Sequence, residues 1–106
     1  MDGLLIGRFQ PFHLGHLDAV LFGLARTDSL SICIGSSNKH NEKKNPFSAA
    51  ERREMILSSI EPSIVSRIKI FNIPDVDNHE KWTFEIDQIV PKYDVVFTND
   101  EFTKTL

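Results

Sequence analysis

Apolar residues in this chain alternate between short continuous runs and helical stripes. Leu4, Leu5 and Ile6, closing on Gly7, read as a short buried strand. Across residues 15–25, Leu17, Val20, Leu21 and Leu24 fall at i, i+3, i+4 and i+7, one face of a helix. Residues 30–34 (Leu-Ser-Ile-Cys-Ile) read as a second strand, closed by Gly35 and two serines. Residues 38–45 are polar and charged and read as a loop. Ser48 and Glu51 have the spacing of a capping box. A second helix follows, with Met55, Ile56 and Ile60 on its buried side, and it stops before Pro62. Residues 68–73 read as a third strand ended by Pro74. Residues 79–90 read as a third helix, with Trp82, Ile86, Ile89 and Val90 at i, i+4, i+7 and i+8, ended by Pro91. Residues 93–98 read as a fourth strand. The order β-α-β-α-β-α-β predicts an α/β fold with a mainly parallel sheet and right-handed crossovers. Residues 99–106 open like another helix but leave no room to return to the sheet. The fold is therefore expected to be incomplete at the C-terminus, as the front part of a longer protein.

Composition narrows the class. At 106 residues the chain makes one domain, residues 1–106, with a modest core. Cys33 is the only cysteine, which excludes an internal disulfide and fits a reducing, cytoplasmic setting. No apolar run reaches the length of a membrane span, and the N-terminus enters a strand without a signal-peptide pattern, so no membrane partner is expected. The net charge of −3 is unevenly spread: residues 1–53 carry a net +2 and residues 54–106 a net −5. A mildly basic half suits a small anion. It lacks the broad basic stripe of a nucleic-acid-binding surface.

The chemistry concentrates in Gly7-Arg8-Phe9-Gln10-Pro11-Phe12-His13-Leu14-Gly15-His16. This stretch joins the first strand to the first helix. Ligands of open α/β sheets bind outside the carboxyl ends of strands, at such turns. A helix N-terminus offers N–H groups and a positive dipole end to a phosphate. Two imidazoles (His13, His16) and a guanidinium (Arg8) at that place predict a nucleotide phosphate site. Gly7 and Gly15 allow the backbone close to a ligand. Elsewhere the plainer explanations hold. Asp75 and Asp77 lie in a Pro/Asp/Asn loop and read as turn chemistry rather than a metal pair. Lys39, His40, Lys43 and Lys44 read as a solvated loop, His79 as structural and Cys33 as core.

These residues carry a resemblance. The stretch from Gly7 to His16 looks like the start of archaeal-type nicotinamide mononucleotide adenylyltransferases, and His13-Leu14-Gly15-His16 fits the H-x-G-H signature of the wider nucleotidyltransferase superfamily. Asn45-Pro46-Phe47-Ser48-Ala49-Ala50-Glu51-Arg52 is similar to the family's proline-aromatic turn leading into a helix with a Glu-Arg pair. Ile73-Pro74, acidic residues and then Trp82 resemble its third block, and Thr98-Asn99-Asp100 its strand-end asparagine. The resemblance spans the whole chain. The C-terminal S-T/G-x-x-R motif of members does not occur in this sequence.

The resemblance implies a Rossmann-like nucleotidyltransferase fold and a reaction: ATP plus nicotinamide mononucleotide gives NAD and pyrophosphate by direct in-line attack on the α-phosphate. It implies that His13, His16 and Arg8 act on the phosphates. Gly7, Phe9, Gln10, Gly15 and Arg52 are then expected at the substrate, with Trp82 stacking on the nicotinamide ring and Asn99 hydrogen-bonding the mononucleotide. Trp82 also heads an apolar stripe, and Arg52 has Glu51 as an ion-pair neighbour, so core packing and surface pairing compete with those roles. Mg2+ would be held by ATP phosphates and water rather than by a protein metal site. A homo-oligomer is implied as well. Two other readings stand beside this one. The first is another nucleotidyltransferase, such as a pantetheine-phosphate adenylyltransferase or a cytidylyltransferase, which a substrate panel would separate. The second is a truncated, non-catalytic nucleotide-binding module, which would bind ATP without turnover.

Overall fold

Five strands and four helices follow the chain: β1 (Asp2–Gly7), α1 (Leu14–Leu24), β2 (Ser29–Ile34), α2 (Ala49–Ser59), α3 (Pro62–Val65), β3 (Ile68–Asn72), α4 (His79–Ile89), β4 (Val95–Thr98) and β5 (Thr103–Thr105). The structure is a computed structural model that describes residues 1–35, 37–38, 43, 46–74, 79–90, 92–98 and 103–105, of which 79–83, 98 and 103–105 by backbone only. The strands form one sheet in the order β3-β2-β1-β4-β5. β1 to β4 are parallel, as the alternation of elements predicts.

Parallel strands buried on both faces need apolar side chains on both. In β1, Leu5 joins a cluster with Val20 and Leu24 of α1 and Ile56 of α2, whereas Leu4 joins Cys33, Ile86 and Val90 on the opposite face. Helices α1 and α2 thus cover one face and α4 the other, a doubly wound arrangement. The chain runs outward from β1 through β2 to β3, then crosses back to place β4 on the other side of β1, with Ile6 paired to Thr98. The carboxyl ends of β1 and β4 therefore flank the point where strand order reverses, which is where ligands bind in such sheets.

Three expectations change. Of the segment expected to open a helix, Thr103–Thr105 is instead a strand that pairs antiparallel with β4, Phe97 lying opposite Thr103. Threonines at both ends of this segment suit a pleated strand better than a helix. Pro62 does more than stop α2, because it occupies the first turn of the short helix α3, where a missing N–H costs nothing. Leu21, expected in the core, is 45% exposed. The buried residues of α1 are Val20, Gly23 and Leu24. A side chain at Gly23 would sit 3.2 Å from Leu30 and 3.3 Å from Phe97. The absence of one lets that side of the helix settle against the sheet and turns Leu21 outward.

A guanidinium closes the far end of α1. Arg67 Nη2 donates to the carbonyls of Leu24 and Thr27, both at 2.7 Å, and its Nε to that of Asp28 at 3.0 Å. The last carbonyls of a helix lack intrahelical partners, and a cation there also opposes the helix dipole. No spacing rule marks this residue, since it lies about forty positions from its acceptors. Replacing Arg67→Met should lower unfolding stability by about 2 kcal/mol, the scale of charge-assisted hydrogen bonds lost at a partly wet site. Chemical denaturation measures it. A change within error would show that water caps α1 equally well.

Candidate functional site

The loop after β1 ends in an N-cap made of two histidines. His13 is the extended residue preceding α1, with φ −134° and ψ −178°. Its Nδ1 accepts the backbone N–H of Gly15 at 3.1 Å, and its own N–H donates to Nδ1 of His16 at 3.1 Å. This is a reciprocal capping box. The same box opens α2 in ordinary residues: Ser48 Oγ accepts from the Glu51 N–H at 3.1 Å, and the Ser48 N–H donates to Glu51 Oε1 at 2.9 Å. The serine–glutamate box was legible in the sequence; the histidine one was not, and periodicity alone starts α1 at Gly15. The i, i+3 spacing was the available signal, but imidazole is not among the usual capping groups.

The cap fixes the tautomers. A ring nitrogen that accepts a hydrogen bond carries no proton, so each neutral imidazole must carry its proton on Nε2. Both rings then offer an Nε2–H donor. They stack with centroids 3.8 Å apart and planes 26° from parallel. Phe12 stacks on His16 at 5.6 Å and Phe9 meets it edge-on at 4.9 Å. Burial among these rings, and secondarily the neighbouring His13, push the His16 pKa down from 6.5 to about 4. The unfolded chain therefore binds more protons than the folded one between those two values. Stability from this group is complete above pH 6.5 and declines as pH falls toward 4.

Behind the histidines the loop is tied to two other elements. Phe9 is buried and left-handed, with φ 54°, a conformation that costs a non-glycine residue about 1 kcal/mol or more. On one side of it the Arg8 carbonyl accepts from Arg52 Nη1 at 2.9 Å, and the same nitrogen donates to the Gly35 carbonyl at 2.7 Å. Arg52 Nε donates to the carbonyl of Ser48 at 3.1 Å. On the other side, the Gln10 side-chain amide pairs with the backbone of Phe47: Nε2 donates to the carbonyl at 3.0 Å and Oε1 accepts the N–H at 2.9 Å. The Gly35 N–H also donates to the Gly7 carbonyl at 2.7 Å.

The sequence-derived site residues thus separate. Arg8, His13, His16 and Gly15 lie together at the β1–α1 turn; Arg8, His13 and Gly15 are exposed and His16 is half-buried. Gly7 is buried at the end of β1. Phe9 is a core ring, and the Gln10 amide is turned to Phe47. Arg52 is fully buried beneath the turn. It heads a stripe, Arg52, Ile56 and Ile60, that is buried throughout, so its helical spacing carried the signal of burial. Trp82 belongs to α4, and its side chain lies outside the described residues. Asn99, Asp75, Asp77, Lys39, His40 and Lys44 also lie outside them. Burial raises the Cys33 thiol to about 12, the behaviour of an inert core residue. Among the described residues no group of three or more His, Cys, Asp or Glu could hold a metal ion, and no helix is long and apolar enough to cross a membrane.

A family described as cytidylyltransferase-like matches residues 4–99. A nicotinamide-nucleotide adenylyltransferase of Saccharolobus solfataricus is 43% identical over 100 residues, covering 92% of this chain and 58% of the relative. One from Thermoplasma volcanium is 42% identical over 102 residues, covering 96% and 57%. The chain thus spans a little over half the length of these relatives. Among solved structures, a bifunctional NMN adenylyltransferase/ADP ribose pyrophosphatase from Francisella tularensis, complexed with AMP and a manganese ion, superposes with a TM-score of 0.77. It is 33% identical, and the match covers 82% of this chain and 26% of that one.

Gly15 tests the cap. A Cβ there would lie 3.0 Å from His13 Cε1 and 3.2 Å from its Nδ1, so the ring must give way. In Gly15→Ala the lost cap, about 1 kcal/mol, and the gained helix propensity, up to about 1 kcal/mol, should nearly cancel. Thermal unfolding should change little, while the amide at position 15 exchanges faster with solvent. Unchanged amide protection would mean that His13 is not the cap.

Proposed function

Because the chain belongs to the cytidylyltransferase-like family, we propose that it forms the phosphate-binding part of a cytoplasmic nicotinamide-nucleotide adenylyltransferase, with ATP and nicotinamide mononucleotide as substrates. The names of its relatives and the AMP-bound neighbour support this choice among nucleotidyltransferases. The observation that carries it is the capped pair His13–His16, two Nε2–H donors set at a helix N-terminus beside the strand-order switch.

The chemistry asks little beyond this. The acceptor's 5′-phosphate is already anionic at neutral pH, so the site needs no general base. One of its oxygens attacks the α-phosphorus of ATP; a new P–O bond forms as the bond to the bridging oxygen breaks, and pyrophosphate leaves with that electron pair. Catalysis is alignment of two anions together with stabilisation of charge on the α-phosphate and the leaving group. His13 and His16 donate from Nε2 to phosphate oxygens. Neutral donors suit the task, because they hold developing charge without first being desolvated as cations. Arg8 supplies the positive charge and a planar fork for phosphate. Mg2+ would enter on the ATP, held by its phosphate oxygens and water, as the family resemblance implies. Trp82 stacks on the nicotinamide ring and Asn99 binds the mononucleotide, as the family resemblance implies.

The test is NAD formation from MgATP and nicotinamide mononucleotide by the complete gene product. His16→Ala should lower kcat about 10²-fold, as losing one donor to developing charge does, with a smaller loss of ATP affinity. Trp82→Ala should weaken the mononucleotide more than ATP. Binding of ATP without NAD formation would favour a nucleotide-binding module, and product with CTP but not ATP would move the assignment to a cytidylyl transfer.

A further inference from the structure

We infer that Arg52 and Gln10 are positioning residues that build the phosphate turn from behind and touch no substrate. This rests on reading the His13–His16 turn as the phosphate site, and it assigns two residues that resemblance alone would place against the ligand.

Burial comes first. The Arg52 side chain is fully buried, so no substrate atom reaches its guanidinium. Its Nε and Nη1 donate to three backbone carbonyls from three segments: Arg8 after β1, Gly35 after β2 and Ser48 at the cap of α2. A guanidinium is suited to such a junction, since its planar fork aims donors in several fixed directions while an ammonium is a compact point charge. The charge is not idle. Burial, and secondarily the charge of Arg8, lowers the Arg52 pKa, and the carbonyl dipoles around it offset the cost of burying a cation.

Gln10 makes the second tie. Its amide imitates a strand neighbour, giving and receiving one hydrogen bond with the backbone of Phe47. Both ties lead from the turn to the start of α2, and they enclose Phe9, the one described non-glycine residue with positive φ. Left alone, Phe9 would relax out of that conformation. Held by Arg8 on one side and Gln10 on the other, it stays, and its ring presses edge-on against His16 at 4.9 Å. The route from Arg52 to the imidazoles is therefore short: guanidinium, Arg8 carbonyl, Phe9 backbone, Phe9 ring, His16.

The experiment uses Arg52→Lys and Gln10→Glu in the complete gene product. The first leaves a point charge in place of a fork. The second keeps the shape but sets an oxygen against the Phe47 carbonyl. Each variant should retain its sheet amide signals yet shift the ring resonances of Phe9 and His16, and kcat should fall about tenfold or more while KM for ATP changes less than threefold, the pattern of lost alignment rather than lost binding. A KM rise matching the fall in kcat/KM would mark direct substrate contact and overturn the proposal, as would unchanged kcat with unchanged ring signals. Should Arg52→Lys fail to fold, nitrogen-15 labelling of arginine in the unaltered protein decides the matter. Arg52 side-chain N–H signals should exchange slowly and stay in place on adding MgATP, while those of Arg8 move; an Arg52 signal that moves as far as that of Arg8 contradicts the assignment. If the unaltered protein neither binds ATP nor makes NAD, the adenylyl-transfer reading fails. The ring resonances in the two variants then still decide whether Arg52 and Gln10 shape the turn.

Discussion

The helix N-cap made by His13 and His16 is the interaction on which the site depends. A helix must satisfy its first N–H groups, and most helices do so with a hydroxyl or carboxylate. Here two imidazoles do it reciprocally, each through Nδ1. The same bonds that begin α1 therefore choose the tautomer, orient both rings and keep protons off Nδ1. Protonating His16 there would break the cap, which agrees with a pKa held down near 4. In the proposed function, local folding and phosphate recognition are set by one arrangement, with the structural duty on one nitrogen and the donor duty on the other.

That arrangement survives because its surroundings hold a strained turn. A left-handed phenylalanine costs roughly 1–3 kcal/mol. A typical hydrogen bond returns about 1 kcal/mol net, and those to a charged group about 1.5–3 kcal/mol. The bonds from Arg52 and the pair from Gln10 together exceed the strain, so the turn is stable only as part of a unit that includes the ends of β1 and β2 and the start of α2. The sheet supplies the frame. β1 is central, buried on both faces, and ends at the strand-order switch, so a turn anchored there is presented at the crevice.

Much of this was legible in the sequence. The order of elements, the parallel sheet and the capping box at Ser48 follow from periodicity and spacing. The H-x-G-H turn together with the three blocks that follow it in order pointed to the family, and the cytidylyltransferase-like match over residues 4–99 agrees. What escaped was long-range or chemically unusual. Leu21 looked like core because helical periodicity defines a stripe but not its rotation, which Gly23 sets by close contact with Leu30 and Phe97. Arg52 looked like a surface or ligand charge because an arginine heading a buried stripe is rare. Gln10 and Arg67 act through backbone groups remote in sequence, which no local rule reaches. The antiparallel edge strand β5 was lost because its three residues are fewer than any periodicity can register.

The central claim is that His13 and His16 meet phosphate as neutral rings protonated on Nε2. Nitrogen-15 NMR of the two imidazoles near neutral pH, before and after adding MgATP, tests it most directly. The account predicts that both Nδ1 nuclei resonate as unprotonated acceptors throughout, and that MgATP shifts the Nε2 signals while leaving Nδ1 nearly still. Rings protonated on Nδ1 in the free protein, or a nucleotide-induced shift larger at Nδ1 than at Nε2, would contradict it.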